Sequence, residues 1–220
     1  MQAFAQPQVL RQAAIAAGLS ALACVPRLYY WQDHPSSIWY LAGLLAWCLF
    51  VMWGFVFAWE KKYGAADPLP FKRSPRVWTT ILIGGVIAAI LAAKFTAPAI
   101  RKIMPDQYPE SLGEVLAYVA FYVALEQIFI CFAPLAFFAR LSGKPALAAG
   151  MTVGVSLAVL WVKLGTAVAP PSTGLVIWLF AFRLAHSVAS IGLYRWGGIW
   201  PVYALALILQ SRLLFLNNAS

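Results

Sequence analysis

The stretch Tyr122–Gly143 reads YVALEQIFICFAPLAFFARLSG and places one carboxylate, Glu126, in an apolar run whose nearest flanking charges are Glu114 and Arg140. That run is long enough to cross a bilayer, which takes ~20 apolar residues as a helix. Glu126 then falls near the middle of a spanning segment. A charge at that depth costs about 2.5–3.5 kcal/mol on insertion scales, so an ionisable residue there is a candidate functional group. The plainer alternative is a neutral Glu126 hydrogen-bonded to a neighbouring helix. Sequence alone leaves both open.

Outward from this stretch the chain keeps the same character. Of 220 residues, 63% are hydrophobic and only 10% charged, and the mean hydropathy is +0.78. A soluble domain carries about 25% charged residues, so composition excludes one. It gives instead an all-α polytopic transmembrane helical bundle, a single integral membrane domain over residues 1–220 with the lipid bilayer as its surroundings. The formal charge of +9 comes mostly from short loops, where Lys and Arg set orientation and meet anionic headgroups. No arginine-rich helix or basic–aromatic pattern accompanies it, so a nucleic-acid partner is not expected. Cys24, Cys48 and Cys131 lie in apolar runs without CxxC or Cys/His spacing and read as small buried hydrophobes. Tyr29, Tyr30, Trp31, Trp39, Tyr40, Trp59, Trp78, Trp196 and Trp200 cluster near run ends as an interfacial aromatic belt.

About seven helices are expected, or six if the first does not span. The first follows Arg11 and ends at Pro26 and Arg27. Its Ala21-Leu22-Ala23 before Cys24 has some look of a signal peptide or lipobox, but a polytopic chain rarely needs a cleaved signal, and a retained helix is the preferred reading. The second covers Ile38–Trp59. The loop over residues 60–76, with Lys61, Lys62, Lys72, Arg73 and Arg76, is basic enough to stay cytoplasmic. A third helix is expected over Val77–Ala97, with Gly84 and Gly85 allowing close approach of a neighbour, Lys94 snorkelling outward, and a Pro-broken loop over Pro98–Ser111. The fourth, Leu112–Ala139, should kink at Pro134. The fifth, Ala146–Leu164, should pack antiparallel to it. The sixth, Leu175–Tyr194, puts Arg183 and His186 on one face, and the seventh runs to Leu216. On this count Arg11, the bases of the 60–76 loop, Arg140, Lys144 and Arg195 share one side. Arg27, Lys94, Arg101, Lys102, Lys163 and Arg212 share the other, which favours a cytoplasmic N-terminus.

Two stretches together resemble the CPBP family of intramembrane endopeptidases, which includes the CAAX prenyl proteases and the bacteriocin-processing, Abi-like proteins. LEQIFICFAPLAFFARLSG (125–143) resembles the helix that carries the EExxxR motif, and LYRWGGIWPVYALALILQ (193–210) resembles the last turn and helix. The resemblance covers residues 112–216 and implies a CPBP-like core. Its catalytic letters are mostly replaced. The first acid is Glu126, but the second is Gln127, the Arg position is Cys131, and the FxxxH positions are Val159 and Lys163. The final His and Asn positions are Ala206 and Gln210. An alternative FxxxH is spelled by Phe182 and His186. Peptide hydrolysis needs a general base and an oxyanion stabiliser in a sheltered site, and one surviving carboxylate cannot supply both.

The resemblance therefore implies a protein that keeps the scaffold without the protease: an accessory, assembly or binding subunit with other membrane proteins as partners, in a bacterial inner membrane. Glu126, Gln127, Lys163, Arg183, His186 and Gln210 are the expected buried polar cluster. The alternative is a divergent endopeptidase with Glu126 and His186 as catalytic residues, the one reading under which a metal is implied. His34, in a polar segment, reads as an interfacial loop residue. An axial contact from His186 to a pigment is a further alternative. No HExxH, phosphate loop or haem-attachment motif is present, and no metal site is expected otherwise. A transporter is disfavoured because neither paired broken helices nor internal repeats are visible.

Overall fold

The computed structural model describes residues 6–31, 34–63, 69, 74–105 and 108–216, with the backbone alone for 35, 59–63 and 215–216. Among the described residues six helices are long and apolar enough to cross a membrane. In order they are Pro7–Trp31, Ser36–Ala58 (within a helix Pro35–Tyr63), Pro75–Ile103, Leu112–Ser142, Pro145–Leu164 and Thr173–Gly197. A seventh apolar helix, Ile199–Gln210, is shorter, and one more turn, Arg212–Leu216, follows it. Among the described residues there is no strand. The chain is thus an all-helical integral membrane protein. The uncertain span is not the first, which has full length, but the last.

Prolines do less to break these helices than the sequence suggests. The first helix runs through Pro26 to Trp31, and Arg27 is buried with its guanidinium over the rings of Trp31 (4.8 Å) and Tyr118 (5.1 Å). The third helix does not stop at Pro98. It passes through a π-helical turn at Ala92–Thr96 and continues to Ile103. In the fourth helix the irregularity is not a lone kink at Pro134 but two π-helical turns, Tyr122–Glu126 and Ile128–Phe132, directly upstream of the α-helical segment Ala133–Ser142. Pro98 and Pro134 each follow an Ala immediately after a π turn. A proline lacks the amide hydrogen that the preceding turn needs, and in a membrane helix a local change of hydrogen-bond register re-satisfies the freed carbonyls.

The bundle is closed at one end. The start of the first helix (Val9, Ala13, Ala17), the end of the second (Leu49, Trp53, Val56) and the end of the fourth (Phe132, Leu135, Ala136) share one core with Ala148, Tyr194 and Val202. The alanines recur every four residues, so one slim helix face lets the second helix approach. Phe132 sits at the centre, with ring centroids 5.9 Å from Trp53, 4.9 Å from Tyr194 and 5.5 Å from Tyr203. Trp53 Nε1 donates to Ser20 Oγ at 3.3 Å. This is the end at which the second helix finishes and the third begins. Most bases of the 60–76 loop fall outside the described residues or have no described side chain, but Leu69 accepts a hydrogen bond from Trp200 Nε1 at 2.8 Å. Asn218, in the tail, is also outside the described residues.

Gly143 ends the fourth helix in the left-handed conformation (φ 63°), which sends the fifth back along it. In the sequence Trp196-Gly-Gly-Ile-Trp-Pro201, both glycines are structurally required. A Cβ on Gly197 would lie 2.8 Å from the Pro201 ring, and Gly198 has φ 75°, ψ −152°, a region essentially closed to other residues. Of the pair in the third helix only Gly85 is a contact point, where a Cβ would meet Ile208 Cγ2 at 3.0 Å; Gly84 faces open space. Cys24 and Cys131 are buried, whereas Cys48 is exposed.

Candidate functional site

At the opposite end the five C-terminal helices splay around a cavity of ≈ 400 Å³. Its lining includes all six members of the expected polar cluster: Glu126 and Gln127 from the fourth helix, Lys163 from the end of the fifth, Arg183 and His186 from the sixth, and Gln210 from the end of the seventh. The third helix adds Thr96 and Ile100. The cavity reaches from the middle of the bundle to the loop between the third and fourth helices, where Met104 and Tyr108 line it.

Glu126 is held by Arg183, Nη1 to Oε1 2.5 Å. Their side chains are 18% and 15% exposed, so the pair is largely desolvated. His186 faces the same cavity, but its Nε2 lies 3.5 Å from Ser190 Oγ one turn along its own helix. No hydrogen bond joins it to Glu126 among the described residues. Sequence placed Arg183 and His186 on one face, and geometry chooses the arginine as the partner.

Lys163 has turned inward. It is the penultimate residue of its helix, next to the interface, where a lysine ordinarily extends toward water. Instead Nζ donates to Tyr122 Oη at 2.6 Å and lies 5.2 Å from that ring's centroid. Tyr122 stacks on Tyr118 at 4.3 Å. Gln127 (1% exposed) and Gln210 (8% exposed) line the cavity with amide oxygens that have no partner among the described residues. Arg212 lines its outer end, donating through Nη1 to the Leu209 carbonyl while Nε has no partner among the described residues. Tyr108 lies close by. Burial pushes its phenol up to about 12, with Arg212 and Arg101 pulling the other way, so it remains a neutral donor at ordinary pH.

Tyr108, Tyr118, Tyr122 and Arg212 are the site residues that the sequence reading missed. Tyr118, Tyr122 and Glu126 recur every four residues, a spacing that puts them on one helix face. Arg212 is a lone base beyond an apolar helix, and its inward position is set by the short last helix, which no local pattern announces.

Counting His186 as neutral, three cations (Lys163, Arg183, Arg212) face one carboxylate (Glu126), so the lining carries a formal +2. Among the described residues no three His, Cys, Asp or Glu side chains converge. Two such donors among three cations do not fit a metal ion, which would add charge to a site already in positive excess. Compared with family models, with curated proteins and with solved structures, the chain gives no match.

Proposed function

We propose that this is a non-proteolytic membrane protein on a CPBP-like scaffold that acts through binding, as an accessory or assembly subunit of a complex in a bacterial inner membrane, with its N-terminus cytoplasmic. The observation that carries the reading is the guanidinium of Arg183 on the one acid that a hydrolase of this type would use. Hydrolysis needs a general base and an oxyanion stabiliser together in one site. Here an oxygen of Glu126 is engaged by Arg183, Gln127 stands where a second acid is needed, and His186 turns to Ser190. A surface for partners supports the subunit role. Gly150 and Gly154, four residues apart on the fifth helix, are exposed with nothing within 4 Å of a built Cβ. That small-xxx-small spacing lets another helix approach closely.

A second reading, the divergent endopeptidase built on Glu126 and His186, keeps one specific support: both side chains line the same cavity. The test is extraction in mild detergent followed by mass spectrometry of co-purifying polypeptides, with the Glu126→Gln variant assayed alongside. A membrane partner in fixed ratio that survives E126Q is the expected result. Loss of processing of a membrane protein in E126Q cells, with the variant folded, would replace it with the protease.

A further inference from the structure

The cavity combines cationic and tyrosine side chains with apolar lining residues that are themselves exposed, the two requirements of an amphiphile. Tyr108 in the loop before the fourth helix, Lys163 next to the end of the fifth and Arg212 at the start of the last turn mark the outer end, and Lys163 reaches inward to Tyr122, well inside the fourth helix. Phe129 and Val159 lie farther along the fourth and fifth helices, toward the middle of the bundle, and are lining residues that are also exposed. A ligand entering between these two helices would therefore come from the hydrocarbon and not from water.

The charge at the outer end asks for an anion. Glu126 neutralises Arg183 and leaves Lys163 and Arg212. A cation at membrane depth is costly unless it is compensated or snorkels out. Lys163 does not snorkel, since its ammonium is held over Tyr122. The deeply buried amides of Gln127 and Gln210, whose oxygens have no partner among the described residues, line the same cavity, a second sign of a polar guest, and their NH2 groups are donors that an anion can accept from. Its volume of ≈ 400 Å³ falls within the ordinary range for small-molecule sites, roughly 300–1,000 Å³.

We propose that this cavity binds an anionic amphiphile, a phosphate or carboxylate on an alkyl chain, with the headgroup between Lys163, Arg212 and the Tyr122 hydroxyl and the chain leaving past Phe129 and Val159. The inference rests on the binding reading of the site and names its ligand class. Membrane lipid and soluble anion share this headgroup chemistry, and the chain distinguishes them.

The experiment uses the full-length protein in nanodiscs and an alkyl phosphate with a diazirine at the end of its chain, photolysed and mapped by mass spectrometry. Adducts are expected on the fourth and fifth helices around Phe129 and Val159, competed by dodecyl phosphate and not by inorganic phosphate. A trimethylammonium probe of the same chain should label at least tenfold less. The double variant Lys163→Gln/Arg212→Gln should lose labelling by tenfold or more while keeping its helical circular dichroism. Should that variant misfold, Val159→Trp, which blocks the opening from an exposed position, should have the same effect. Equal labelling by the cationic probe, or adducts elsewhere, overturns the proposal. Full competition by inorganic phosphate overturns its amphiphilic half and leaves a soluble-anion site. These outcomes are independent of E126Q-sensitive processing, which would strike the binding reading itself.

Discussion

Arg183 and Glu126 are worth more together than apart. Removing one partner of a buried pair typically costs 3–5 kcal/mol, because the remaining charge is stranded. With 15–18% of each side chain exposed, about 1–3 kcal/mol is the better expectation. Glu126→Gln and Arg183→Gln should each destabilise by that amount. The double variant should lose less than the sum, leaving a coupling of at least ~1 kcal/mol in a double-mutant cycle of unfolding in mixed micelles; strict additivity would mean the pair is not coupled. Tyr108 offers a test in pH. Its proton is held more tightly in the fold (pushed up to about 12) than in the unfolded chain (about 10). The stability it contributes is therefore whole below pH 10 and lost between pH 10 and 12, with a slope of at most about 1.4 kcal/mol per pH unit and less for a half-buried group. Tyr108→Phe should flatten the alkaline limb by that component, and an unchanged limb would show the phenol is not buried in the fold.

At the scale of elements, glycines and π turns decide how helices meet. Gly84 and Gly85 look alike in sequence, yet only Gly85 faces Ile208, at 3.0 Å from a built Cβ. Gly84→Ala should be neutral or slightly stabilising, since alanine is the better helix former, while Gly85→Leu should cost about 1–3 kcal/mol by overpacking. Gly198→Ala carries a backbone penalty of about 1–3 kcal/mol from its φ of 75°. Thermal midpoints in detergent rank the three, and equal losses at Gly84 and Gly85 would contradict the packing described. The turns at Tyr122–Glu126 and Ile128–Phe132 have a functional consequence as well as a structural one. π-Helical turns are frequent at functional sites; the first of these contains Tyr122 and Glu126, and Gln127 lies between the two.

For the whole molecule, the packed end and the open end have different tasks. The core around Phe132 holds six helices together, so the other end can remain splayed without unfolding. Assembly is expected on the outer face of the fifth helix. Gly150→Ile with Gly154→Ile should abolish co-purification of a partner while leaving monomer stability nearly unchanged, as both sites are exposed and uncrowded; retention of the partner would move the interface elsewhere. Much of this architecture was legible in sequence. The apolar runs gave helices and membrane, because hydrocarbon admits only internally bonded backbone and needs a minimum helix length. The charge stranded in such a run identified Glu126, because a group at that depth is too costly to be incidental, and helix spacing put Arg183 and His186 on one face. What sequence could not supply was who meets whom. That Glu126 bonds Arg183 and not His186, that Lys163 turns to Tyr122, and that Pro98 and Pro134 sit within continuous helices depend on helix rotation and π register. Those are fixed by packing among segments as far as 57 residues apart, and no local pattern encodes them.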